Sequence, residues 1–163
     1  MMNANILISN VSENKLKLAN TFGLTHGINA SEIKNVSAQA LEVVGSKGAD
    51  IVIDTTGNTR VIEEAYNLTH ASGKTILVDV HKIGDNINIY SLPLHFSKTL
   101  VGSHGGNAIP DKDIPRYLKL LTNSKLKFDG LITNEYPLCE INTAIQKMRS
   151  GHLAGRIMIN MSS

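Results

Sequence analysis

Short apolar runs and apolar residues at helical spacing alternate along the whole of this chain. Asn5-Ile6-Leu7-Ile8-Ser9-Asn10 is bounded by polar residues and predicts a buried strand. Ser12 can cap the next segment, where Leu16, Ala19 and Phe22 share one face and Gly23 stops the helix. Thr25 to Asn29 predicts a short strand, and Ile33, Val36, Ala40 and Val44 predict a helix closed by Gly45. The β-branched run Ile51-Val52-Ile53-Asp54-Thr55 predicts a third strand. Val61, Ala65 and Leu68 mark the following helix, ended by Gly73, and Thr75 to Val80 a fourth strand. Thr99-Leu100-Val101 predicts a fifth. Two helices follow. One is started by Asp113 and Pro115, with Ile114, Tyr117, Leu118 and Leu121 facing inward; the other carries Ile141, Ala144, Ile145 and Met148 up to Gly151. Arg156 to Met161 reads as a last strand.

Strands alternating with helices of this length require a mostly parallel sheet, right-handed crossovers and helices on both faces. The fold class predicted is therefore α/β, doubly wound and Rossmann-like, with residues 1–163 as a single domain, since no repeat, low-complexity tract or linker divides them. Composition narrows the partners. A net charge of +2, scattered Lys and Arg and only 4% aromatic residues offer neither a basic patch nor stacking platforms, so no nucleic-acid partner is expected. The single Cys139 excludes an internal disulfide and points to a reducing cytoplasm. No run approaches the ~20 apolar residues of a membrane span, so no membrane partner is expected. The six histidines, His26, His70, His81, His95, His104 and His152, form no i, i+4 pair and have no cysteine partner at ligand spacing, so no metal site is predicted.

Several local patterns go beyond fold class. Asn10 to Leu18, Gly48-Ala49-Asp50-Ile51-Val52-Ile53-Asp54 followed by Thr55-Thr56-Gly57, and Gly73-Lys74-Thr75-Ile76-Leu77-Val78 stand in an order seen in one family. So do Asp113-Ile114-Pro115-Arg116-Tyr117-Leu118, Lys125 to Thr133, Glu140-Ile141-Asn142-Thr143-Ala144, and Ser150-Gly151 before Gly155-Arg156. Together these resemble the C-terminal, cofactor-binding portion of the zinc-type medium-chain alcohol dehydrogenases. The resemblance covers almost the entire chain.

The resemblance implies that the chain begins at the second strand of the dinucleotide fold, truncated at its N-terminus. The zinc-bearing catalytic domain and the first strand with its Gly-x-Gly-x-x-Gly turn would then be missing, so no catalytic residue and no zinc are expected here. That turn normally lets the backbone approach a pyrophosphate and aims a helix N-terminus at it. For a bound NAD or NADP, the resemblance places Asn10 and Lys15 near the adenosine ribose and Val11 against the adenine. It places Thr55, Thr56 and Gly57 at a strand end, Val78 with Ser103 or His104 at the nicotinamide carboxamide, and Arg156 at the pyrophosphate. Asn10 stands where an acidic residue usually selects NAD, and no nearby arginine favours NADP, which leaves the cofactor choice open. Asp79 stands where the family carries a small residue, and its carboxylate is unhelpful beside the cofactor. Gly102 to Gly106 is read as a close backbone approach.

Two functions follow from these readings. One is the cofactor-binding portion of an NAD(P)-dependent oxidoreductase moving hydride between an alcohol or aldehyde and nicotinamide, not competent without the missing catalytic portion. The alternative is a non-catalytic module acting in oligomerisation or protein interaction, with Ile87, Ile89 and Leu92 to Leu100 as a surface for a homo-oligomer. Both readings leave a central slot beside the first and third predicted strands. Direct pairing of those strands, a strand from another chain, or Arg156 to Met161 folding back would each fill it.

Overall fold

The computed structural model describes residues 4–123, 128–151 and 153–162; His152 and residues 125–127 of the family-like pattern lie outside it. In chain order the elements are β1 (Leu7–Asn10), α1 (Glu13–Thr21), β2 (His26–Asn29), α2 (Val36–Val44), β3 (Ala49–Asp54), α3 (Thr59–Leu68) and β4 (Thr69–Leu77). They continue with β5 (Thr99–Gly102), α4 (Pro110–Thr122), β6 (Ile132–Pro137), α5 (Ile141–Arg149) and β7 (Arg156–Asn160). Every strand pair is parallel, in the order β1-β2, β3-β4-β5 and β6-β7. This is the α/β class predicted. The chain divides into two compact units, one holding residues 1–34 and 111–163, the other Asn35–Pro110.

In the Asn35–Pro110 unit, α3 lies on β3 and β4 and buries Ile62, Ala65 and Tyr66. Each such burial contributes on the order of 1.5–3 kcal/mol for the larger side chains. Asn58 caps the helix, accepting from the amides of Arg60 and Val61. Beneath it runs a buried polar chain. The Tyr66 hydroxyl donates to the Tyr90 carbonyl at 2.9 Å, and the Lys98 ammonium sits 4.2 Å above the Tyr66 ring and donates to the Thr69 carbonyl at 2.8 Å. Burial pushes the Lys98 ammonium below, and the Tyr66 phenol above, its ordinary range. The Thr69 hydroxyl shares a 2.7 Å hydrogen bond with that of Thr75, which is wholly buried.

In the other unit, α1 packs on β1 and β2 and buries Leu16, while Ile28 is buried from β2. α5 packs on β6 and β7, burying Ala144, and Tyr136 is buried from β6.

Four expectations are corrected. Gly73 does not end a helix: α3 stops at Leu68 and Gly73 lies inside β4, within the register shift between Ala49↔Thr69 and Ile51↔Lys74. A Cβ there would lie 2.7 Å from the Asp50 carbonyl, so the glycine permits close approach of β3. The helix expected from Asp113 and Pro115 starts at Pro110, whose missing N–H costs nothing in the first position, and Pro115 lies within it. Its Ile114, Tyr117 and Leu118 are exposed rather than inward, because no described element packs closely over them. Finally, Arg156 to Asn160 does not fold back beside the first predicted strand but pairs with β6; among the described residues β1 has β2, and β3 has β4, as its strand partner. No described helix is long and apolar enough to cross a membrane.

Candidate functional site

The residues singled out from the sequence fall into two sets, one in each unit. In the first, Asn10 ends β1 half-buried, and its side-chain oxygen accepts from the Ser12 amide at 2.9 Å. That contact draws the amide group over the start of α1. Val11 is exposed, and so is Lys15 in the first turn of α1. Arg156 opens β7, exposed, with its backbone N–H donating to the Leu131 carbonyl at 2.7 Å. Its guanidinium has no ion-pair partner among the described residues, and no hydrogen bond joins it to Asn10, Val11 or Lys15 there.

The second set lies at the carboxyl ends of β3, β4 and β5. Asp54, absent from the sequence-derived candidates, is the organiser. Only 3% exposed, it accepts from the Thr56 amide at 3.2 Å, the Thr56 hydroxyl at 2.7 Å and the Gly57 amide at 3.1 Å. Thr56 and Gly57 are therefore tied inward to a carboxylate, while Thr55 is exposed. Gly57 takes φ +63, and the place of its absent Cβ lies 3.5 Å from Asp79 Oδ2 and from the His81 backbone nitrogen. This turn thus rests against the segment that leaves β4.

An open depression of about 380 Å³ is lined by Leu77 to His81 and by Gly102 to His104. Val78 and Ser103, singled out from the sequence, are both in its wall, with His104 beside them. The Val78 amide donates to the Asp54 carbonyl at 2.9 Å and the Ser103 amide to the Leu77 carbonyl at 2.7 Å. Those bonds hold the two chain ends in place and leave the carbonyls of Val78 and Ser103 without a hydrogen-bonding partner among the described residues. The Ser103 hydroxyl accepts from the Gly106 amide at 3.1 Å. The expected close backbone approach is not found at Gly102, Gly105 or Gly106, where a Cβ would meet nothing within 4 Å.

His81 was noted in the sequence only as one of six histidines. Here its Nδ1 is buried and unpartnered, an arrangement costing about 1–3 kcal/mol unless something else supplies the bond. No sequence signal marks it. Asp54 did carry one, because an Asp two residues before Thr and three before Gly is an Asx-turn pattern. The residues lining the depression include two whose carbonyls are unpartnered among the described residues, two histidines and one carboxylate-bearing residue, Asp79. Among the described residues, no group of three His, Cys, Asp or Glu is placed to hold a metal ion.

Comparison with known proteins places these features in a family. S-(hydroxymethyl)glutathione dehydrogenase of Paracoccus denitrificans is 28% identical over 147 residues, 86% of this chain and 39% of that protein. Alcohol dehydrogenase-like 3 of Arabidopsis thaliana is 28% identical over 138 residues, 84% of this chain and 35% of that protein. The chain thus spans well under half the length of these curated relatives. Among solved structures, benzyl alcohol dehydrogenase from Acinetobacter calcoaceticus superposes with a TM-score of 0.85 at 27% identity, over 96% of this chain and 42% of that one. The family model for zinc-binding dehydrogenases matches residues 1–123, which carry Asn10, the Asp54 turn and both walls of the depression. The chain therefore belongs to the zinc-binding dehydrogenase family of alcohol dehydrogenase-like oxidoreductases.

Proposed function

We propose that the chain is the dinucleotide-binding portion of an alcohol dehydrogenase-like oxidoreductase, with residues 1–163 acting as one NAD- or NADP-binding domain. The observation that carries this reading is the pair of carbonyls, Val78 and Ser103, unpartnered among the described residues, in two residues that line one depression at strand carboxyl ends. A carboxamide NH₂ has two hydrogens to donate, and ligands of open α/β sheets sit at that edge. The residues present fit a nicotinamide there, with His104 beside it. Asn10 and Lys15 would bond the ribose hydroxyls, with Val11 against the adenine. Arg156 would pair with the pyrophosphate, for which its planar fork of donors is suited. Thr55, Thr56 and Gly57 would border the site through the turn that Asp54 holds.

When bound, the nicotinamide accepts or gives the hydride exchanged with a small alcohol or aldehyde. This chain's residues bind and orient it; none of them is assigned a catalytic role, and no zinc is assigned to them. Alcohol activation would belong to a catalytic portion beyond these residues. A second reading, a non-catalytic module in oligomerisation or protein interaction, is favoured by the exposed Tyr90, Leu92, Leu94 and Phe96. That stretch suits a second copy of the chain.

Titration of the purified chain with NADH and NADPH, followed by nicotinamide fluorescence with molecular mass on the same sample, separates the two. Saturable binding at micromolar to low millimolar concentration is expected. A folded sample that binds neither cofactor would overturn the first reading, and an oligomer in that sample would put the second in its place.

A further inference from the structure

We infer that the depression between the ends of β4 and β5 discriminates between the redox forms of the nicotinamide ring, favouring the oxidised one through the Asp79 carboxylate in its wall. The inference rests on the dinucleotide reading above and assigns a specificity-determining role to one residue.

The wall contains one carboxylate and neither lysine nor arginine. Asp79 Oδ1 accepts from the amide of its own neighbour, Val80, at 2.9 Å, and Oδ2 lies over the Gly57 turn. No ion pair neutralises it among the described residues. Asp54, the other carboxylate nearby, differs in kind, since three donors compensate its charge and it is buried. Asp79 is therefore the one carboxylate without an ion pair among the residues that line this depression.

The oxidised nicotinamide ring is a pyridinium cation, whereas the reduced dihydropyridine is neutral. The remainder of the dinucleotide carries the same charge in both forms. Repulsion between Asp79 and the pyrophosphate thus weakens both forms equally and cancels in the ratio of their affinities; attraction to the ring does not cancel. For a carboxylate and a cation a few ångströms apart beside water, the bias is about three- to tenfold in favour of the oxidised form. Because Asp79 is exposed, the bias falls as salt rises.

The test measures Kd for NAD+ by calorimetry and for NADH by fluorescence on the full 163-residue chain and on Asp79→Asn, which keeps an acceptor for the Val80 amide. Asp79→Ser provides a second charge-free variant. Asp50→Asn removes an exposed carboxylate at the opposite end of β3 as a control. In both Asp79 variants the ratio of Kd for NAD+ to Kd for NADH should rise about three- to tenfold at low salt, and in the control it should hold. Added salt should shrink the change. If both forms bind and the ratio is the same in wild type and both Asp79 variants, the inference is overturned and the dinucleotide reading stands. If neither form binds the folded wild type or any variant, both are overturned.

Discussion

Asn10 and Asp54 stand at the same place in their strands, the last residue of β1 and of β3, and each turns a side-chain oxygen onto the amide two residues ahead. The resemblance ends there. Asp54 also takes the Thr56 hydroxyl and the Gly57 amide and is buried, whereas the Asn10 side chain makes a single hydrogen bond among the described residues, half in solvent. A buried carboxylate saturated by donors belongs to the fold, because its removal strands every group that faced it. A half-exposed amide with an NH₂ left over can be given to a ligand at little cost to stability. The difference distinguishes a strand end whose side chain is spent on the fold from one whose side chain keeps donors to spare.

The comparison is broken most directly by Asp54→Ala. Leaving two amides and a hydroxyl unpaired around a cavity should cost about 3 kcal/mol in urea denaturation. A loss below about 1 kcal/mol would mean the turn stands without its carboxylate. Gly57→Ala should cost less, about 1–2 kcal/mol by the same measurement, because the strain is in the backbone at φ +63 while the nearest atoms leave ordinary room for a methyl group. Asn10→Ala should cost least, about 0.5–1 kcal/mol. Yet in the NADH titration it should weaken binding several-fold through loss of the proposed ribose contact. If Asn10→Ala leaves binding unchanged, the two strand ends differ in stability alone.

The elements themselves were largely legible. The β-branched run from Ile51 is β3, and the apolar spacing of Ile141, Ala144, Ile145 and Met148 is α5. Asn35 and Asn58 cap α2 and α3 with their side chains, whereas Ser12, the cap expected for α1, makes no side-chain capping bond. Gly73 misled because its reason is not local: it makes room for the carbonyl of Asp50 on a neighbouring strand. Pro115 misled because Pro110, five residues earlier, serves equally as a helix start. Val78 and Ser103 were singled out through the order of family-like motifs, and the structure brings both to the lining of one depression. Their usefulness depends on which amides are already spent, and that is settled by pairing across strands.

What the sequence by itself determined is the succession of strands and helices and hence the α/β class, since periods of about 2 and 3.6 residues follow from local backbone geometry. Only the tertiary structure decided which polar groups are buried. Lys98 shows why. By type it belongs at the surface, yet it is 8% exposed, because the Tyr66 ring and the Thr69 carbonyl, 29 residues away in the chain, together replace its water. The orphan nitrogen of His81 and the three donors on Asp54 belong to the same class of fact. Hydrophobic periodicity is written along one segment, whereas the satisfaction of a buried charge or hydrogen bond depends on partners that only folding brings together.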